Sequence, residues 1–477
     1  MLARDNEIDR EIGENMLDFT DICVRTEEGQ MMQNMDFYMK CFIPKLGEVV
    51  KKYDIKYDPD TPVPSDDALA DRVFEAALEF FVDVGIYVPT TSRNVKFTRN
   101  EVEEAMRAVQ GEVWFGEGAE RKVMKMRRPD DGDLPWFHLS GGVHASSEQI
   151  FLNLVEAFAR IPGCDSIGVP SLVKMRERSY RVKSPLELLA CIRTVELAHQ
   201  GLRRAGKPGM PILNNISTST HAASTIAACN PDFGLRPSDG FYVDSLSEFI
   251  VDFETLNKAA FYNRWGANIC SVSTPLLGGY GGGPEGTAVL GTAYMFIGPL
   301  VFKGEYNLNA ALHFKHKVST TRAMLWVDAV INQATTRNTK YPNLNLGYLA
   351  SGGGTDMYYH ETAAFLLSAI PSGGHVEATH ASKAVVTDSV LPIEMAFNVE
   401  MGRVAAEMTR KDALPLVKQL LEKYENRLKE PPKGYVYPDA YAIESGKPKD
   451  QEYLKIVKNT KKELREMGLP IEDVFFH

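Results

Sequence analysis

Apolar residues recur along this chain in two periods, and the places where one gives way to the other mark its elements. Across 66–84, Leu69, Val73, Phe74, Ala77, Leu78 and Phe81 fall on one helical stripe. Ser65 is the expected N-cap of that helix and Gly85 its stop. Thr98 and Glu101 have capping-box spacing for a helix running through Val109. Residues 127–135 turn polar and carry prolines, which predicts the end of an N-terminal helical region. Beyond it, short apolar runs predict strands at 137–144, 165–172, 210–216, 241–245, 268–276, 306–312, 344–350 and 373–378. Helical patterns at 148–159, 185–203, 253–265, 287–298, 320–334 and 357–369 separate most of them. The unit is plainest at 206–217, where Gly206, Pro208 and Gly209 end a helix and Met210, Ile212 and Leu213 form a brief apolar run. Asn214, Asn215 and Ser217 then give it a polar exit.

About eight alternating strand–helix units predict an α/β fold, a TIM (β/α)8 barrel whose chemistry sits where the strands end. On that view Leu213 and Asn214 stand at a pocket mouth. A doubly wound sheet would carry G-x-G-x-x-G after an early strand, and none is present. After Val386 helical patterns resume at 395–408 and 412–428, followed by a proline-rich connector at 429–438 and a lysine-rich helix at 451–467. The expected organisation is an N-terminal helical cap (1–135) packed on the barrel (136–395), with a C-terminal helical extension (396–477).

Composition narrows the class. The 477 residues are 44% hydrophobic and 24% charged, enough for a barrel core with added helices. A net charge of −10 without a basic tract excludes a nucleic-acid partner. Residues 1–21 alternate charges with isolated apolar residues, which fits neither a signal peptide nor a membrane span. Cys23, Cys41, Cys164, Cys191, Cys229 and Cys270 show no CxxC spacing and read as reduced thiols. A cytoplasmic enzyme with no membrane partner is expected.

Four stretches carry candidate chemistry. Gly278-Gly-Tyr-Gly-Gly-Gly-Pro-Glu285-Gly follows the fifth strand and opens a helix, where exposed N–H groups could hold an anion. It lacks the Gly-Lys-Ser/Thr ending of a P-loop, and Glu285 also suits a helix's first turn for structural reasons alone. His375, Glu377 and His380 after the last strand, with His313 and His316 after the sixth, raise zinc ligation. Their H-x-E-x-x-H spacing departs from the helical zincin pattern, so no metal site is assigned. Ser351-Gly-Gly-Gly-Thr355 could approach a phosphate, but a tight turn with Thr355 as N-cap is preferred. His144 ends the first strand, where a pocket role and a structural one are equally open.

Several pieces together resemble the monomethylamine methyltransferases of methylotrophic methanogens. They are Gly85-Ile-Tyr, Lys183-Ser-Pro, Gly206-Lys-Pro-Gly-Met210, Pro275-x-x-Gly-Gly-Tyr280-x-Gly-Gly-x-Glu285, Thr321-Arg322, the run from Ala384 to Asp388, and Met401-Gly-x-Val-Ala405. The resemblance implies a TIM barrel that moves a methyl group from a methylamine to the cobalt of a partner corrinoid protein, in a homo-oligomer, without a tightly bound cofactor of its own. The corrinoid is expected on the partner, because no Asp-x-His-x-x-Gly pattern occurs here.

The departures redirect the expected substrate. Where the family carries pyrrolysine this chain has Leu213, and the family's fourth-strand glutamate aligns with Tyr242. The glutamate before the Pro-x-x-Gly-Gly-Tyr motif becomes Val272, the pocket glutamine becomes Leu346, and a tyrosine is kept as Tyr348. These residues, with Asn214, Glu285 and His313, are the expected substrate-binding set, in a cavity drier than its relatives'. The leading expectation is a pyrrolysine-free methyltransferase for a quaternary or other N-methyl compound. Alternatives are a zinc-dependent enzyme for an O- or S-methyl donor, and a non-catalytic paralogue that binds ligand or corrinoid protein.

Overall fold

A computed structural model describes residues 17–140, 144–172, 174–175, 178–214, 221–230 and 232–474. All eight expected strands are present in one parallel sheet: β1 (Phe137–Leu139), β2 (Ser166–Ile167), β3 (Leu213–Asn214), β4 (Gly240–Asp244), β5 (Asn268–Ser273), β6 (Tyr306–Asn309), β7 (Asn343–Leu349) and β8 (His375–Ala381). Each pairs with its neighbours in chain order, β8 returns to β1, and the parallel bridge Ile167–Ile212 joins β2 to β3. There the Ile167 N–H donates to the Pro211 carbonyl at 3.1 Å, and the ring is closed.

A helix follows every strand: α1 (Glu148–Arg160), α2 (Pro185–Arg204), α3 (Ala222–Ala227), α4 (Phe253–Trp265), α5 (Pro284–Ile297), α6 (Arg322–Asn338), α7 (Asp356–Ala369) and α8 (Pro392–Ala406). At six residues α3 is too short to show a helical period, which is why the sequence pattern misses it. The boundary expected at 395 falls inside α8, which packs on β8 and β1 as the eighth barrel helix.

Alternation along the strands separates two cores. Tyr242, Cys270, Val272, Tyr306, Leu308, Leu344 and Leu346 point into the ring, whereas Phe241, Val243 and Ile269 join the helical shell. Gly240 makes room in the lowest layer, because a Cβ there would run into the Tyr306 hydroxyl and Leu213. Outward positions on β6 and β7 are asparagines that lock onto α6. Asn309 donates to Asp328 at 2.9 Å, and Asn343 and Asn345 both donate to Asn332 Oδ1 at 2.8 and 3.0 Å.

The N-terminal region is less purely helical than expected. A hairpin of Glu112–Phe115 and Lys122–Lys125 closes the bottom of the barrel. Its Phe115 ring lies 5.3 Å from Trp136 and 5.2 Å from Tyr306. The strands Gln30–Met31, Ile86–Val88 and Arg93–Val95 form a second small sheet. The long helix Asp67–Val84 packs on α5 and α6; Asp66, not Ser65, caps it by accepting the Leu69 N–H at 3.1 Å, and Gly85 stops it as expected. The Thr98–Glu101 capping box forms in both directions. Among the described residues one helical run, Pro284–Phe302, is long and apolar enough to cross a membrane, and 94% of its apolar window is buried in this fold. The six cysteines are free thiols.

Candidate active site

A cavity of about 440 Å³ opens at the C-terminal end of the barrel. Its lower part is walled by Tyr242, Val272, Leu308, Leu346 and Glu377; above them stand Asp244, Ala310, Tyr348 and His380, and the rim is Ser245, Leu246 and Ser247. The strand register explains the layering, since Leu346 pairs with Glu377 and Tyr348 with His380. Between these pairs one residue on β7, Gly347, faces two on β8, Ala378 and Thr379, a bulge. Without it Glu377 and His380 would point to opposite faces. With it both line the cavity.

Tyr242 is 2% exposed and donates its hydroxyl to Glu377 Oε2 at 3.0 Å across the barrel. Burial pushes the Glu377 carboxyl up to about 7, against hydrogen bonds from Tyr242 and Ser140 that favour its ionised form. Burial likewise pushes Asp244 up to about 6, against the charge of Lys258 on α4. The Asp244 Oδ1 is enclosed without a hydrogen-bond partner among the described residues. Burial drives His380 down to about 4, so its imidazole is neutral near pH 7. Its ring stands 5.6 Å from that of Tyr348, edge to face.

The expected site residues divide. Tyr242, Val272, Leu346 and Tyr348 line the cavity. Leu213 does not: it pairs with Gly240, one layer below Tyr242, and is fully buried in the interior core. Asn214 pairs through its backbone with Phe241, and its side chain lies outside the described residues. Glu285 accepts the Tyr57 N–H at 3.1 Å and so ties α5 to the N-terminal region. His313 sits on the pair Leu276–Leu277 and Leu312–His313, which extends β5 and β6 beyond the barrel rim. There it lines a separate cleft with Tyr57, His316 and Arg322.

The zinc set does not converge. His375 lies at the bottom of β8, where its Nδ1 accepts the Trp136 N–H at 2.9 Å. Among the described residues no group of three or more His, Cys, Asp or Glu side chains is placed to hold a metal. The glycine-rich loop bonds to itself, Gly278 N–H to the Gly282 carbonyl and Gly282 N–H to that of Gly279, while Tyr280 stacks on Tyr38 at 4.2 Å. Thr355 caps α7 as preferred. The chain's own segment covers the glycines before it: Gly352 donates to the Pro432 carbonyl, and a Cβ on Gly352 would run into the Lys433 carbonyl. His144 is exposed and pairs with Ser171 at the rim.

Comparison with known proteins turns this barrel into a family member. The family model described as Monomethylamine methyltransferase MtmB matches residues 17–469. The chain belongs to the MtmB family. It is, by that membership, a methyltransferase. Monomethylamine methyltransferase MtmB2 of Methanosarcina acetivorans is 28% identical over 462 residues, covering 95% of this chain and 98% of the relative. MtmB1 of Methanosarcina barkeri is 27% identical over 463 residues with the same coverage. The crystal structure of the Methanosarcina barkeri monomethylamine methyltransferase (MtmB) superposes with a TM-score of 0.89 at 23% identity, covering 96% of this chain and 99% of that one. That of the hydroxylamine MtmB complex fits equally well, and both confirm the TIM barrel.

The cavity wall mixes apolar and titratable groups. Val272 and Leu346 are aliphatic, yet Asp244, Glu377 and His380 bring titratable groups in from elsewhere on β4 and β8. Asp244 reads in the sequence only as a polar strand end. Glu377 and His380 carry a signal, but their neighbour His375 makes it look like a metal motif.

Proposed function

We propose that this chain transfers a methyl group from a methylated amine, a quaternary ammonium or related N-methyl compound, to the cobalt of a separate corrinoid protein, without pyrrolysine. One observation carries the reading: at the catalytic end of the barrel a cavity sets an apolar wall of Val272, Leu308, Ala310 and Leu346 beside the Tyr348 ring. Methyl groups need such a wall, and a methylated cation gains from an aromatic face by about 0.5–2 kcal/mol. The partner's corrinoid supplies the nucleophile that accepts the methyl group. The C–N bond breaks as the new bond to carbon forms, and the electron pair stays on nitrogen. A quaternary donor therefore leaves as a neutral amine and needs no proton.

This chain's own residues orient and shield. The apolar wall fixes the methyl groups, and the buried Tyr242 layer closes the floor against water from below. Leu246 at the rim is 43% exposed, marking the side from which an acceptor can approach. Family membership supports a homo-oligomer working with a cognate corrinoid protein. The test is anaerobic mixing of the protein, candidate N-methyl donors and reduced corrinoid protein, with methylcobalt absorbance as readout. Equal demethylation in the absence of the corrinoid protein would overturn the reading.

A further inference from the structure

In an eight-stranded ring β4 and β8 lie opposite one another, and each carries a carboxyl into the same cavity. Glu377 is 2% exposed, and its Oε2 is held by Tyr242. Asp244 stands one layer above Tyr242 on β4, with its Oδ1 enclosed and unpartnered among the described residues. His380, the remaining titratable imidazole on the lining, is kept neutral by burial and offsets neither acid. Among the described residues no lysine or arginine lines the cavity; Lys258 acts on Asp244 from α4, behind the strand. Enclosed like charges lower the cost of a cation and raise that of an anion.

We propose that Asp244 and Glu377 together set this cavity to take methylated ammonium compounds of net positive charge and to reject betaines, whose own carboxylate would meet two carboxyls in the same cavity. The inference rests on the reading that this cavity holds the methyl donor. It adds the substrate's charge class. Neither acid is assigned a bond-making role. They are specificity-determining residues, acting on the head group from opposite strands while the apolar wall takes the methyls.

Calorimetric titration of the full chain with three probes of like shape tests this: choline, its neutral carbon analogue 3,3-dimethylbutanol, and trimethylglycine as the betaine. Choline should bind at least about tenfold more tightly than either of the others. Glu377→Gln and Asp244→Asn should each remove most of that preference while dimethylbutanol affinity holds, which also shows that the pocket is intact. Equal binding of choline and trimethylglycine to the unmodified protein overturns the proposal even if neither variant folds, and so does a choline preference that survives both substitutions. Binding of none of the three overturns the proposal and the cavity assignment together. An acid-dependent choline preference without methyl transfer to reduced corrinoid protein would sink the proposed function and leave the charge selection standing.

Discussion

Tyr242→Phe removes the hydrogen bond to Glu377 at the centre of the site. The ring stays, in its buried layer near His138 at 6.4 Å, but the donor 3.0 Å from Glu377 Oε2 is lost. A hydrogen bond to an ionised group is worth about 1.5–3 kcal/mol. Because 1.36 kcal/mol corresponds to one pH unit, the loss moves the Glu377 midpoint by about 1–2 units. The direction is fixed by what the bond favours. The tyrosine stabilises the carboxylate, so without it the carboxyl, already raised to about 7 by burial, rises further. Between about pH 7 and 9 the variant therefore keeps Glu377 neutral where the parent has it charged.

Two measurements follow from that shift. Tetramethylammonium affinity, titrated between about pH 5 and 9.5, should climb as the acids ionise, and in the variant the upper part of the climb should move to higher pH by about 1–2 units. The lower part, where Asp244 at about 6 ionises, should stay. Stability gives the second. Glu377's folded value lies above the ordinary carboxyl value of 4.5, so its contribution is full below about 4.5 and is lost as pH rises towards 7. In the variant that loss continues beyond 7, and the extra deficit of about 1.5–3 kcal/mol appears only on the alkaline side. A binding midpoint that stays put or moves down would refute the assignment of Tyr242 as the donor that sustains the charge.

Three further outcomes are expected. Leu213→Ala, fully buried beneath Tyr242, should cost about 2–5 kcal/mol in denaturant unfolding yet leave measurable methyl transfer, since the residue is outside the cavity lining. Phe115→Ala should cost about 3–5 kcal/mol by removing the hairpin's anchor between Trp136 and Tyr306, read as a lowered midpoint of thermal or urea unfolding. Gly352→Ala should destabilise by about 1–3 kcal/mol and make the segment around Lys433 more sensitive to limited proteolysis, because the new methyl displaces that carbonyl.

The barrel is legible in the sequence because each strand is a short apolar run between punctuating residues, and the punctuation survives folding. What the sequence hides is parity. Glu112–Phe115 alternates exposed and buried residues, a period-2 signal that four residues are too few to raise above a helical background. The asparagines at 307, 309, 343 and 345 look like interruptions of apolar strands, and become meaningful only when α6 presents Asn332 and Asp328 to the last three and Asn343 accepts from Asn307. His375 and Glu377 share a face by strand parity, whereas His380 does not, so a linear reading groups the wrong residues. The extra residue on β8 between the partners of Leu346 and Tyr348 turns His380 back into the cavity, while His375 is left two positions lower against Trp136. One added residue in one strand thus separates a metal motif on paper from a mixed acid–imidazole wall in the folded chain. The same misreading of level affects Leu213. A strand two residues long gives no internal clue to its height, and only its pairing with Gly240 shows that it supports the site from below.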